Sequence, residues 1–106
     1  WEEPTLWLMG AGGLAAPSPS VVPLALLDPP CGFRAAALAA LDRAGRPYRI
    51  AAGSQSLSGL LTALRAGLAV SLRTRRTLHG GLAEASPALA LPPTEPAGFT
   101  LRLRRG

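Results

Sequence analysis

The chain has 106 residues, enough for one small domain. Hydrophobic residues make up 48% of it, which excludes global disorder, and with aromatics at 5% the core must come mainly from Leu and Ala, 20 of each. All 11 basic residues are Arg, against six acidic ones, for a net charge of +5, and the single Cys31 excludes an internal disulfide framework and a cysteine-built zinc site.

The start, Trp1-Glu2-Glu3-Pro4, is acidic and lacks both an initiator Met and the basic start of a secretory signal. A fragment or processed chain is expected. Residues 5–9 read as a short buried strand. Residues 10–23, rich in Gly, Ala, Ser and Pro, read as a loop. The apolar stretch 5–27 approaches the length of a membrane span, but Gly10, Gly12, Gly13, Pro17, Pro19 and Pro23 break any helix there. Residues 24–27 form a second apolar run, stopped by Asp28-Pro29-Pro30. A helix is expected from 32 to 44, with Phe33, Ala37, Leu41 and Ala44 on one stripe and Leu38 beside it. Gly45 is its left-handed stop, and Pro47 prevents continuation. Residues 48–52 suit a third strand.

Ser56 is placed to cap a second helix. Leu57, Leu60, Leu61 and Leu64 follow at the spacing of a buried helical face. Arg65 falls in the last turn, where positive charge suits the dipole, and Gly67 ends the helix. Residues 68–72 read as the next strand. Alternating strands and helices predict an α/β fold with a mostly parallel sheet flanked by helices. Beyond Leu72 a short helical turn is expected over 73–79 and a short strand over 89–91. Phe99, Leu101 and Leu103 alternate with Thr100, Arg102 and Arg104 as a half-exposed strand does.

No catalytic or metal constellation is expected. His79, the one histidine, sits beside Gly80-Gly81 and reads as an exposed loop residue, with Ser71 and Glu84 near it only in sequence. No two carboxylates stand at a metal-like or acid–base spacing. Gly10-Ala11-Gly12-Gly13 after a strand superficially matches a dinucleotide fingerprint, but Pro17 and Pro19 block the helix such a site requires. The arginines cluster at 43–49, 73–76 and 102–105 with only Tyr48 beside them, which argues against direct nucleic-acid binding. Cys31 has two readings, a thiol activated at a helix start or a small packing residue; the lack of a second Cys favours packing. Two helix starts, Asp28 to Phe33 and Ser54 to Ser58, each follow a strand expected in the same parallel sheet. Their amides suit an anionic or polar ligand beyond the strand ends, and ordinary capping suits them equally.

Several of these segments carry a resemblance. They are the apolar strand running into Pro30-Cys31-Gly32-Phe33-Arg34, the Ala/Leu helix, the stretch from Arg43 to Ile50, Ser54 to Leu60, and above all Arg65-Ala66-Gly67-Leu68-Ala69-Val70-Ser71-Leu72. From Leu24 to Arg73 the chain is similar to the second half of the effector-binding domain of LysR-type transcriptional regulators. The strand around Trp7 resembles the segment crossing into that lobe, and the strand from Phe99 to Leu103 the one crossing back. The family usually carries a second Gly where Ala69 stands and a Pro near Arg73; this chain has neither.

The resemblance implies one lobe of a type 2 periplasmic-binding-protein-like fold, a single domain over 1–106 with hinge strands near 5–9 and 99–104. It implies that the DNA-reading helix-turn-helix is absent from this chain. It implies a cytoplasmic regulator, not an enzyme, with no cofactor and no membrane partner, touching DNA only through the missing domain. A small effector would sit between two lobes. Family members contact it through the loop that maps here to Pro29, Pro30, Cys31, Gly32 and Phe33, and more weakly through Ser54, Gln55 and Ser56. The family also dimerises with this lobe's first helix, around Ala35 to Leu41. Unpartnered hinge strands additionally favour self-association. The alternative on the same fold is a lobe of a solute-binding protein for uptake.

Overall fold

The computed structural model describes residues 2–15, 20–29, 31–94 and 97–98. The strand expected over 99–104 lies outside these residues, as do Pro17, Pro19 and Pro30. In chain order the elements are β1 (Glu2–Glu3), β2 (Thr5–Gly10), β3 (Val22–Leu27), α1 (Gly32–Ala44), β4 (Tyr48–Ser54), α2 (Leu57–Arg65), β5 (Ser71–Thr74), β6 (Leu82–Glu84) and β7 (Ala97–Gly98).

β3 is the central strand. Val22 to Leu26 are all buried, as a strand covered on both faces requires. On one edge it pairs in parallel with β4. On the other, the Ala25 amide donates to the Val70 carbonyl and the Val70 amide to the Pro23 carbonyl, both at 2.9 Å. Val70 leads directly into β5, so the β4–β3 pair and the β5–β2–β6 sheet join through this parallel bridge.

Side-chain alternation splits the core in two. Trp7, Val22, Leu24, Leu26, Val70 and Leu72 point to one face and bury Ala37, Ala40 and Leu41 of α1. Leu8, Ala25, Ala69 and Leu82 point to the other and bury Leu60, Leu61 and Leu64 of α2. The helices therefore lie on opposite faces. Right-handed crossovers dictate this, because β3→α1→β4 steps outward along the sheet and β4→α2→Val70 steps back across β3.

The α1 boundaries match those read from the sequence, although its buried stripe ends at Leu41 and leaves Ala44 exposed. Both helices end in the same left-handed motif. At α2 the Gly67 amide donates to Leu64 and the Leu68 amide to Ala63; at α1 the Gly45 amide donates to Asp42 and the Arg46 amide to Leu41. That closure turns Leu68 outward, 54% exposed, so β5 begins only at Ser71 rather than at 68.

The sheet is mixed rather than mostly parallel. β2 runs antiparallel to both β5 and β6, and β1 to β7. The parallel rule applies to strands joined by one helical crossover, and β2 is joined in that way to neither β5 nor β6. The strand expected over 89–91 is instead a 3-10 turn, Pro87–Leu89, followed by Ala90 in the left-handed region at φ 52°. Pro87 presets the turn, and the Ser86 hydroxyl accepts from the Ala88 amide at 3.2 Å. Residues 85–94 then cross the α1 face. Trp7 Nε1 donates to the Pro92 carbonyl at 2.8 Å, and one Arg46 amino group reaches the carbonyls of Leu89 and Ala90 at 3.1 and 2.7 Å.

The expected helical turn over 73–79 is present as a 3-10 turn, Arg75–Thr77. Gly10 ends β2 against the last turn of α2, where an added Cβ would collide with the Leu64 carbonyl oxygen; around Gly12 the space is open. Gly10→Ala is expected to destabilise the chain by about 1–3 kcal/mol through this backbone clash. Gly12→Ala is expected to leave the urea midpoint essentially unchanged, and equal midpoints for the two variants would contradict the packing.

Candidate functional site

The two helix-opening loops meet at one rim. The Asp28 amide, just beyond β3, donates to the carbonyl of Ser54 at the end of β4, at 2.9 Å. This is the carboxyl end of the parallel strands, where open α/β sheets hold ligands. Neither helix has an acidic residue in its first turn, so no side chain there offsets the positive dipole ends.

The loop after β3 is held by Arg34, which donates to the Leu27 carbonyl at 3.2 Å. Cys31 is the N-cap of α1, in an extended conformation, and its side chain makes no capping bond. Asp28 and Pro29 are exposed, and Cys31, Gly32 and Phe33 are partly buried. At the second loop the Ser56 hydroxyl accepts from the Gly59 amide at 3.2 Å. The Ser54 hydroxyl donates to the Ser56 carbonyl at 2.9 Å and accepts from the Ser56 amide at 3.1 Å. Both hydroxyls thus organise the start of α2, and Gln55 between them is exposed.

Beside this rim lies an open groove of about 440 Å³. Its apolar wall is Phe33 from the first turn of α1 with Leu57 and Leu61 of α2; its polar wall is Arg73 and Thr74 from the end of β5, Arg76 and Thr77 from the following turn, and His79. Of the residues singled out in the sequence, Phe33 lines the groove. Pro29, Cys31, Gly32, Ser54, Gln55 and Ser56 lie in the loops at the helix starts rather than in its lining, and Pro30 falls outside the described residues.

Arg73 is the residue that sequence reading did not single out as a contact. Its guanidinium carbon lies 4.3 Å from the centre of the Phe33 ring, a cation held over an aromatic face. Its Nε is buried and has no hydrogen-bond partner among the described residues. Burial lowers the Arg73 pKa from its ordinary value, while the nearby Cys31 acts in the opposite direction. The one signal for it in the sequence is that an arginine stands near where the resembled family carries proline.

Three other arginines make structural contacts. Arg34 and Arg46 serve backbone carbonyls as described, and Arg65 Nε donates to the Gly80 carbonyl at 2.6 Å. His79 is exposed on the loop, whereas Ser71 is buried in β5, opposite Leu8. Among the described residues no group of three His, Cys, Asp or Glu side chains is placed to hold a metal ion, and no helix is long and apolar enough to cross a membrane.

Two relatives put this geometry in context. Both are transcriptional regulators of the helix-turn-helix type. Over 104 residues, 98% of its length, the chain is 39% identical to the HTH-type transcriptional regulator DgdR of Burkholderia cepacia. Over 72 residues, 68% of its length, it is 39% identical to the HTH-type transcriptional regulator PecT of Dickeya dadantii strain 3937. These matches span only 35% and 22% of the two relatives, so the chain corresponds to about a third of a regulator or less. No protein-family model matches the chain.

Two variants separate structural from ligand-facing roles. Ser56→Ala should cost about 1 kcal/mol in thermal or urea unfolding, the value of a lost N-cap. Arg73→Met keeps an unbranched apolar stem beside Phe33 while removing a desolvated charge, and should stabilise the chain by about 0.5–1 kcal/mol. The lowered pKa fixes its pH dependence. At neutral pH Arg73 is charged in both folded and unfolded chains, so the cost is constant; it falls only as pH rises through the lowered folded value. A lower urea midpoint for Arg73→Met at neutral pH would contradict this account.

Proposed function

We propose that this chain is the effector-sensing part of a LysR-type transcriptional regulator. It forms one lobe of a type 2 periplasmic-binding-protein-like domain, and a small molecule binds between this lobe and a second one. The observation that carries the reading is the rim itself. Two helix starts joined by the Asp28–Ser54 bond flank an open groove, in a chain aligned over 98% of its length with a transcriptional regulator. The relatives favour regulation over the alternative on the same fold, a solute-binding lobe for uptake.

In this reading the protein is a cytoplasmic homodimer and not an enzyme. It touches DNA through a helix-turn-helix outside this chain. The exposed side of α1, around Ala35, forms part of the dimer contact. The effector works by binding one arrangement of the two lobes better than the other, and it shifts DNA binding only by that difference.

The test uses the intact natural protein and a reporter on the promoter beside its own gene, scored across a panel of carbon and nitrogen sources. Phe33→Asp, which places a carboxylate in the groove, and Ser54→Leu, which dismantles the start of α2, are each expected to reduce induction or repression by at least about tenfold. Arg75→Gln, on the exposed turn outside the groove, is expected to respond as wild type. An unchanged response in both Phe33→Asp and Ser54→Leu removes the effector assignment.

A further inference from the structure

We propose that the groove recognises a small organic acid, its carboxylate paired with Arg73 and its compact apolar body lying against Phe33, Leu57 and Leu61. This deepens the effector-sensing reading and rests on it. The starting point is an imbalance of charge. Arg73 is a partly buried cation whose side chain donates to no described residue, and its Nε is sealed from solvent without a partner. Among the described residues no acidic side chain lines the groove, whose other polar members are Thr74, Thr77, Arg76 and His79. A buried charge is ordinarily paired, and a donor left unmade inside the protein is costly. The ring of Phe33, 4.3 Å from the guanidinium carbon, and the nearby Cys31 offset part of that cost, and neither accepts the Nε proton.

That same stacking defines the ligand. A guanidinium held over a ring has its rotation restricted and its fork of donors fixed before a ligand arrives, which suits a planar carboxylate bound through two parallel hydrogen bonds. The threonine hydroxyls add neutral donors. Leu57, 39% exposed although it sits at the head of an otherwise buried leucine series, supplies apolar surface that the core leaves uncovered. The combination of a partly buried cation and an apolar wall favours an amphipathic monocarboxylate over a compact, strongly hydrated anion such as phosphate. A volume of about 440 Å³ accommodates a metabolite-sized molecule.

The experiment is calorimetric titration of the intact natural protein with propionate, isobutyrate, hexanoate and benzoate. Each is run against its primary amide, with inorganic phosphate as a further arm. At least one acid is expected to bind about tenfold or more tightly than its amide, the discrimination a charge-assisted pair provides. Arg73→Gln should abolish that preference and Arg73→Lys should restore part of it. The Nε–H resonance of Arg73, identified by its loss in Arg73→Lys, should move on addition of the acid and not of the amide.

Acids that bind no better than their amides, or a preference surviving in Arg73→Gln, overturn the proposal. So does phosphate binding as tightly as the best acid, or an Arg73 resonance unmoved because a carboxylate elsewhere in the intact protein already holds it. The underlying reading fails separately. If an acid binds through Arg73 but leaves promoter DNA affinity unchanged, the ligand class stands and effector sensing falls. If no acid is preferred yet Phe33→Asp abolishes the promoter response, sensing stands and the carboxylate falls.

Discussion

The hydrogen bonds on both edges of β3 are the constraint on which the rest of the structure depends. With β4 on one side and Val70 on the other, β3 has no free edge, and its side chains are buried on both faces. A strand enclosed in this way must be apolar throughout, which the run from Val22 to Leu26 satisfies. The enclosure also sets the placement of the helices. The chain leaves β3 outward and returns across it, so α1 and α2 take opposite faces while both begin at the same rim. The groove follows from this. Phe33 opens one helix, Leu57 opens the other, and β5, aligned with β3 by the Val70 bridge, delivers Arg73 to the same end of the sheet.

Backbone features with strong local chemistry were legible in the sequence. Gly45, Ser56 and Gly67 mark helix ends because a left-handed residue or a capping hydroxyl acts within four residues of itself. The leucine series from 57 to 64 fixed the buried face of α2 for the same reason, save that Leu57 lies at the mouth rather than in the core. Pairing was less legible. The antiparallel insertion of β2 between β5 and β6 joins segments over 60 residues apart, and β6 is three residues long. No local periodicity encodes such a partner choice. The reading of 89–91 as a strand failed because Pro87 and Ser86 favour a tight turn more strongly than two leucines favour extension.

The candidate site divides along the same line. The loops at Pro29 to Phe33 and Ser54 to Ser56 were found because they follow strands and precede helices. The residues facing Phe33 were not, because Arg73 is 40 positions away and meets it only through the sheet. In the sequence Arg73 is one member of a basic cluster with Arg75 and Arg76, and a cluster of charges ordinarily marks a solvated surface. The fold separates them. Strand alternation turns Arg73 away from the α1 face that Leu72 occupies, and at the rim its guanidinium meets the Phe33 ring, while Arg75 stays exposed on the turn.

A guanidinium whose Nε has no partner among the described residues works against folding in that position. A partly desolvated cation with an orphaned Nε is the kind of feature that core packing alone would replace with an apolar side chain. The chain has ample means to do so, since 48% of it is hydrophobic and its other structural arginines are satisfied by backbone carbonyls at Leu27, Leu89, Ala90 and Gly80. Local choices elsewhere agree with the global fold: caps at helix starts, glycines at helix stops, apolar residues on both faces of β3. Where one residue breaks that agreement with a buried donor left unmade, a functional site is the expected location. The break falls at the carboxyl rim of the parallel strands, beside two helix starts that carry no acidic residue. Charge, burial and topology thus converge on the same few ångströms, and each was set by a different part of the sequence.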